Sequence, residues 1–220
     1  MRWPAGPSNF APNGRWEDSV AVYLDVPYCN QLSVPEACSV FNDPTGCWYC
    51  SACMIGWYFE AGPRQGVPEL HTSRLSAEIQ GRAGFTGHVA TGSADAAQMM
   101  QAFGGGQSEH VLLAKREHLT PLPHCAEARY AYSNAELERL LRRYGPIFFY
   151  WQKTRDGQTY GHASVLVGVR QASPDLIFHD PENAPRSSMD LSEWNAKRQR
   201  WKYSQMRRAG VAHQIRQVPA

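Results

Sequence analysis

An α+β fold is predicted for this chain, with helices ahead of an antiparallel sheet, and three observations carry it. A continuous apolar segment, CWYCSACMIGWYFEAG from Cys47 onward, has the length of a helix and is ended by Gly62 and Pro63, so it reads as a buried helix. Ser133 precedes NAELERLLRRYG, where Leu137, Leu140 and Leu141 fall on one face and Gly145-Pro146 makes the stop. Past residue 146 the pattern changes to short β-branched and aromatic runs parted by turn signals. Helices followed by strands is the ordering of an α+β fold.

The remaining elements follow in chain order. Residues 1–19, rich in Pro, Gly and Asn, read as an irregular arm, and residues 20–26 (VAVYLDV) as a strand stopped by Pro27. Residues 29–46 form a loop with turn signals at Val34-Pro35 and Asn42-Asp43-Pro44. A second helix is expected over residues 93–103, capped by Ser93 and ended by Gly104, and a short strand over 110–114. The sheet is expected from residues 147–152, 162–169 and 176–179, with turns at Asp156-Gly157 and Ser173-Pro174. This gives an arm and one domain over 20–220, with a helical lobe to about residue 145 and a β lobe from 146.

Composition narrows the function. Hydrophobic residues make up 43% of the 220, enough for a core, and the 15 Pro and 18 Gly are dispersed, which argues against disorder. A net charge of +2 is too mild to imply nucleic acid or an acidic membrane. The one basic run, residues 198–208 (RQRWKYSQMRR), reads as a solvated helix face or tail. No apolar stretch is long enough to span a bilayer, and the start lacks the apolar region of a secretory signal, so a soluble chain is expected.

Six cysteines are present, three of them within seven positions. Cys47 stands at the mouth of the apolar helix, where unpaired amides and the helix dipole favour an anion. Thiolate is the nucleophilic form of cysteine, and it requires a base from elsewhere in the chain. His162, in YGHAS, opens an apolar strand with the small Gly161 and Ala163 on either side, leaving room for a substrate and a facing helix. The next strand ends in FHDP, so antiparallel pairing would bring Asp180 to His162, where a carboxylate fixes the tautomer and orientation of the ring. His179 then points to the opposite face, and His179→Ala is expected to be nearly silent in activity. Asp180→Ala should lower kcat and Asp180→Asn should be milder, since an amide oxygen still accepts a hydrogen bond.

Other readings were weighed against this one. Cys47, Cys50 and Cys53 have a C-x2-C-x2-C spacing that can serve zinc or iron–sulfur, but the run between them is helical, so Cys50 and Cys53 read as core. Cys29 and Cys38 could close their loop as a disulfide, while Cys125 and the other six histidines have no companion motif. Trp151, Trp194 and Trp201 read as packing residues before cleft residues.

GCWYCSACMI resembles the Cys-Trp helix start of papain-like cysteine peptidases, and LRRYGPIFFYW, YGHASVLVGV and LIFHDPE resemble their sheet, in the family's order over about residues 20–181. The nearest likeness is to the compact bacterial members, the effector peptidases of plant pathogens and the peptidases that cut leaders after paired glycines. The resemblance implies a nucleophile-bearing helical lobe packed on an antiparallel sheet or half-barrel, with no cofactor and no metal. It also implies a glutamine ahead of the nucleophile whose amide helps hold an oxyanion. Gln31 follows the right strand but lies 47 − 31 = 16 positions upstream, further than the family places it, which suggests an inserted loop over residues 32–45. The implied partners are a protein or peptide substrate and an immunity or inhibitor protein. The implied setting is secretion by a specialised bacterial system and action in a target cell. A transglutaminase or glutamine deamidase with the same triad, and a binding module on an inactive peptidase fold, are the rival functions.

Overall fold

The computed structural model describes residues 20–31, 47–60, 114, 118–200 and 202–210. The N-terminal arm, the loop between Gln31 and Cys47, the expected helix over 93–103 and Trp201 lie outside the described residues. Of the strand expected over 110–114 only Ala114 is described, and it is buried and helical.

Three helices and seven strands make up the described architecture, and every strand pair is antiparallel. The strands are β1 (Val20–Tyr23), β2 (Leu119–Pro121), β3 (Ile147–Arg155), β4 (Gln158–Arg170), β5 (Leu176–His179), β6 (Ser187–Met189) and β7 (Gln205–Arg208). The helices are α1 (Cys47–Glu60), α2 (Asn134–Tyr144) and α3 (Leu191–Lys197). The sheet order is β2-β7-β3-β4-β5-β6, with β1 also on β4. Among the described residues β1, β2 and β6 each have one partner strand, and the antiparallel sheet expected of the β lobe is not closed.

The β3–β4 hairpin sets the frame. Asp156 and Gly157 both have left-handed backbones, φ 50° and 75°, the condition for a two-residue type I′ turn. That turn fixes the register, so Trp151 lies opposite His162 and Lys153 opposite Tyr160. β3 covers one side of β4 only as far as Leu166, and β1 takes the vacated length from Gly168 to Arg170. The approach is close: a Cβ on Gly168 would stand 2.8 Å from the Val22 carbonyl oxygen, so only glycine fits there without displacement.

β4 is buried without a break from His162 to Val169, because α1 and α2 both pack on it. α1 is correspondingly apolar all round, with residues 50 to 58 buried. α2 is amphipathic, burying Leu137, Leu140 and Leu141. Ser133 caps it by accepting from the Glu136 N–H, and Gly145, at φ 82°, ends it by donating to the Leu141 carbonyl.

The basic run departs from its expectation as a solvated helix face or tail. Its last residues form β7, which is inserted between β2 and β3 with Gln205 and Met206 fully buried. Arg198 is 3% exposed, donating to the Cys125 and Tyr130 carbonyls and to Gln205 Oε1 and lying over the Tyr132 ring at 4.9 Å. A buried guanidinium with that many acceptors fastens the C-terminal segment to the sheet. Trp151 and Trp194 are core residues.

Candidate active site

The sheet register decides which side chains can meet. Residues directly opposite in an antiparallel pair share a face, and neighbours along a strand alternate. Trp151 and Lys153 of β3 therefore share a face with His162 and Tyr160 of β4. On the other side of β4, His179 lies opposite Val165, which faces away from His162. Asp180, one residue on, comes back to the His162 face.

The contacts agree with that register. His162 Nε2 stands 2.7 Å from Asp180 Oδ1, with both side chains almost fully buried. The Cys47 thiol is close enough to act on the imidazole by hydrogen bonding and by charge. Cys47 is the first residue of α1 and is partly exposed, so its sulfur sits where the helix presents unpaired N–H groups. Trp151 and Tyr160 flank the imidazole edge-on, with ring centroids at 5.8 and 6.1 Å. The Trp151 indole is itself held by donating to Ser164 Oγ at 3.0 Å. A Cβ on Gly161 would meet nothing within 4 Å among the described residues, but consecutive residues of β4 alternate, so this open space lies on the face opposite His162.

Electrostatics follow from burial and partners. Burial works against a charged imidazole at His162, but hydrogen bonds and charge from Asp180 and Cys47 outweigh it and raise the pKa above the ordinary histidine value. Asp180 is opposed by burial too, yet His162 and Lys153 hold its carboxyl below the usual range. Both directions favour an imidazolium against a carboxylate.

Gln31 is 2% exposed and donates its backbone N–H to the Pro181 carbonyl at 2.8 Å. Tyr28, three residues before it, donates its hydroxyl to the Asp180 carbonyl at 2.8 Å. The segment carrying Gln31 is thus anchored to the segment carrying Asp180, although the two are far apart in sequence. All four expected site residues lie in one region of the molecule.

His179 has a separate task. Its Nε2–H donates to the Val26 carbonyl at 2.9 Å, and Nδ1 accepts from the Arg186 N–H at 3.2 Å. Burial lowers its pKa from 6.5 to about 4, with the Arg186 charge adding to the effect. The unfolded chain takes up this proton first as pH falls, so the stability His179 contributes is present above pH 6.5 and is lost as pH falls towards 4. Urea denaturation at pH 7 and pH 4.5 should show a loss that His179→Gln reduces by roughly 2 kcal/mol. His179→Ala is therefore not silent in stability, whatever it does to activity.

Of the six cysteines, Cys29 is disulfide-bonded and Cys47, Cys50, Cys53 and Cys125 are free thiols. The expected partner of Cys29, Cys38, lies outside the described residues. Cys50 and Cys53 are buried in α1, and burial pushes the Cys125 thiol up.

Sequence reasoning overlooked two charged residues beside the site. Lys153 is buried on β3, with Nζ 2.7 Å from both Asp180 Oδ2 and Glu182 Oε2. Glu182 in turn accepts from Tyr160 Oη at 2.6 Å and from Arg155 at 2.9 Å, and donates its N–H to Asp180 Oδ1 at 2.9 Å. His162, Asp180 and Glu182 offer ligand atoms within 4.8 Å of one another, the one such group among the described residues, but the Lys153 ammonium already serves both carboxylates as their cation. The expected strand stopped at residue 152. Extending it through the Asp-Gly turn would have placed Lys153 on the His162 face.

A thiol at a helix start, an imidazole on a sheet and a carboxylate behind it is the arrangement of a thiol hydrolase. A comparison with known families agrees. The model of the family described as papain-like cysteine protease AvrRpt2, a bacterial plant-pathogen effector, matches residues 24–199. That span begins directly after β1, runs past α3 and takes in Gln31, Cys47, His162 and Asp180, and the chain accordingly belongs to this family of papain-like cysteine proteases and is a hydrolase.

Proposed function

We propose that the chain is an endopeptidase that cleaves protein substrates by acyl transfer through Cys47, His162 and Asp180, within one domain of two lobes. The observation that carries this is the placement of His162 within reach of both the Cys47 thiol and Asp180 Oδ1. His162 takes the thiol proton, and the Cys47 sulfur attacks the scissile carbonyl carbon to form a C–S bond. His162 gives its proton to the departing amine as the C–N bond breaks. Water, deprotonated by His162, then attacks the thioester and returns the thiol. Asp180 keeps one imidazole nitrogen donating to it, which leaves the other for sulfur.

The Gln31 side-chain amide and the Cys47 backbone N–H hold the oxyanion in this reading. The anchoring of Gln31 beside Pro181 supports it despite the long sequence separation. Gln31→Ala should lower kcat by about 10²–10³ with KM little changed, the usual effect of removing one such donor. Unchanged kcat in a steady-state assay would assign the charge to other groups.

The family supports the setting, delivery by a bacterium into a target cell, and an immunity or inhibitor protein is part of the proposal without support from the match. No helix among the described residues is long and apolar enough to cross a membrane. The test is to incubate a plant-cell proteome with the protein and with its Cys47→Ala variant, and to map new N-termini. New termini confined to the active form support peptidase action. Ammonia release without new termini would favour the transglutaminase or deamidase chemistry.

A further inference from the structure

Lysine on a strand ordinarily sends its charge to solvent, because burying an ammonium is costly unless carboxylates replace the lost water. Lys153 does the opposite. Its side chain is 10% exposed, and its Nζ lies 2.7 Å from Asp180 Oδ2 and 2.7 Å from Glu182 Oε2. The two oxygens of Asp180 are thereby divided. Oδ1 serves His162 Nε2 and the Glu182 N–H, and Oδ2 serves Lys153.

Resting on the reading of Cys47, His162 and Asp180 as the catalytic groups, we infer that Lys153 is a positioning residue that keeps Asp180 ionised and oriented through both protonation states of His162. His162 must lose and regain a proton twice in each turnover. Whenever it is neutral, a buried Asp180 with no other cation would be an uncompensated charge, free to take up a proton or rotate away. Lys153 removes that option, because it bonds Oδ2 independently of the imidazole on Oδ1. Glu182 takes part of the ammonium's charge, so the shell of Lys153, Arg155, Asp180 and Glu182 sums to zero beside the thiol and imidazole.

The charged and titratable groups around the imidazole define what should change. Cys47 faces it from α1, Tyr160 flanks it from β4, and Asp180 and Glu182 come from the segment after β5. Lys197 of α3 lies over the Trp151 ring at 5.8 Å. Among the described residues Lys153 is the one cation bonded to Asp180 besides His162. Removing it leaves His162 as the sole cation on that carboxylate, so the imidazolium holds its proton to higher pH.

The experiment is the rate of Cys47 alkylation by iodoacetamide across pH 4 to 11 in wild type, Lys153→Met, Lys153→Arg, Asp180→Asn and the double variant Lys153→Met/Asp180→Asn. Iodoacetamide needs no substrate, so the readout is the thiol–imidazole pair itself. Lys153→Met should move the alkaline limb up by roughly 1 unit, the low end of what a charge a few ångströms away does. It should also lower the maximal rate about ten-fold, the scale of effect seen for residues that orient another group. Lys153→Arg should restore the limb. In the Asp180→Asn background Lys153→Met should have little further effect. If Lys153→Met does not fold, Lys153→Gln, which keeps a donor without the charge, carries the same expectation for the limb.

A lower rate with an unmoved limb, or an equal shift in the Asp180→Asn background, would overturn the inference. A wild-type Cys47 that alkylates like an ordinary thiol, with no reactivity at low pH, would instead overturn the catalytic reading on which it rests.

Discussion

His162→Ala is expected to lower kcat on a cleavable peptide by about 10⁴-fold or more, and Cys47→Ala to lower it at least as far, down to what the oxyanion donors and binding supply alone. The size of the loss follows from burial. His162 is 1% exposed, with the Cys47 thiol and Asp180 both acting on it, so no water can stand in as an oriented base. In the proposed mechanism the imidazole carries both proton transfers, so losing it would disable acylation and deacylation together. The two variants should not be additive, since either removes the same ion pair. Steady-state rates of the two single variants and the double variant check this. A double variant much slower than either single one would mean that the residues act independently.

Asp180→Asn comes next in size, and here the structure changes the expectation drawn from sequence. On sequence alone the asparagine looked mild, because its oxygen still accepts from the imidazole. Asp180, however, accepts on both oxygens, from His162 and the Glu182 N–H on Oδ1 and from Lys153 on Oδ2. An asparagine that keeps its oxygen towards His162 must aim its NH₂ at the Lys153 ammonium, donor against donor. If it turns round, it presents the NH₂ to His162 Nε2 and enforces the wrong tautomer. Neither rotamer satisfies all partners. The expected loss is about 10²–10⁴ in kcat with KM little changed, comparable with what the wrong tautomer costs a serine protease. Asp180→Ala should be equally slow and less stable, since it also strips Lys153 of one carboxylate in a buried place. Kinetics paired with thermal melts separate the two variants, and a near wild-type kcat in Asp180→Asn would mean that the imidazole needs no charged partner.

The parts of the site legible in sequence were those fixed by strong local signals. The apolar run of α1 and the Asp-Pro stop placed Cys47 and Asp180 because each stands at an element boundary, while His162 lies inside β4, which begins four residues before the start expected for it. The same local signals predicted α2 with its cap and its buried leucines. Elements made by tertiary contact were not legible. β7 reads QMRR and β6 reads SSM, with no apolar period to announce a strand, and both are strands because a sheet edge was there to pair with. Arg198 and Lys153 look like surface charges in one dimension. Their burial depends on carbonyls and carboxylates that only the folded chain assembles. Gln31 was found through the family's pattern, and its tie to Pro181 is a long-range contact that no spacing rule could supply.

The central claim is that Cys47 is the activated nucleophile, and thiol reactivity tests it most directly. The folded protein would be treated at pH 6 with iodoacetamide at low stoichiometry, digested and mapped by mass spectrometry, alongside His162→Ala. Among the described residues four free thiols compete, of which Cys50, Cys53 and Cys125 are buried. Modification should fall on Cys47 first and should slow by at least about ten-fold in His162→Ala, because the imidazolium no longer stabilises the thiolate. Preferential labelling of Cys50 or Cys125, or a Cys47 rate indifferent to His162, would contradict the account.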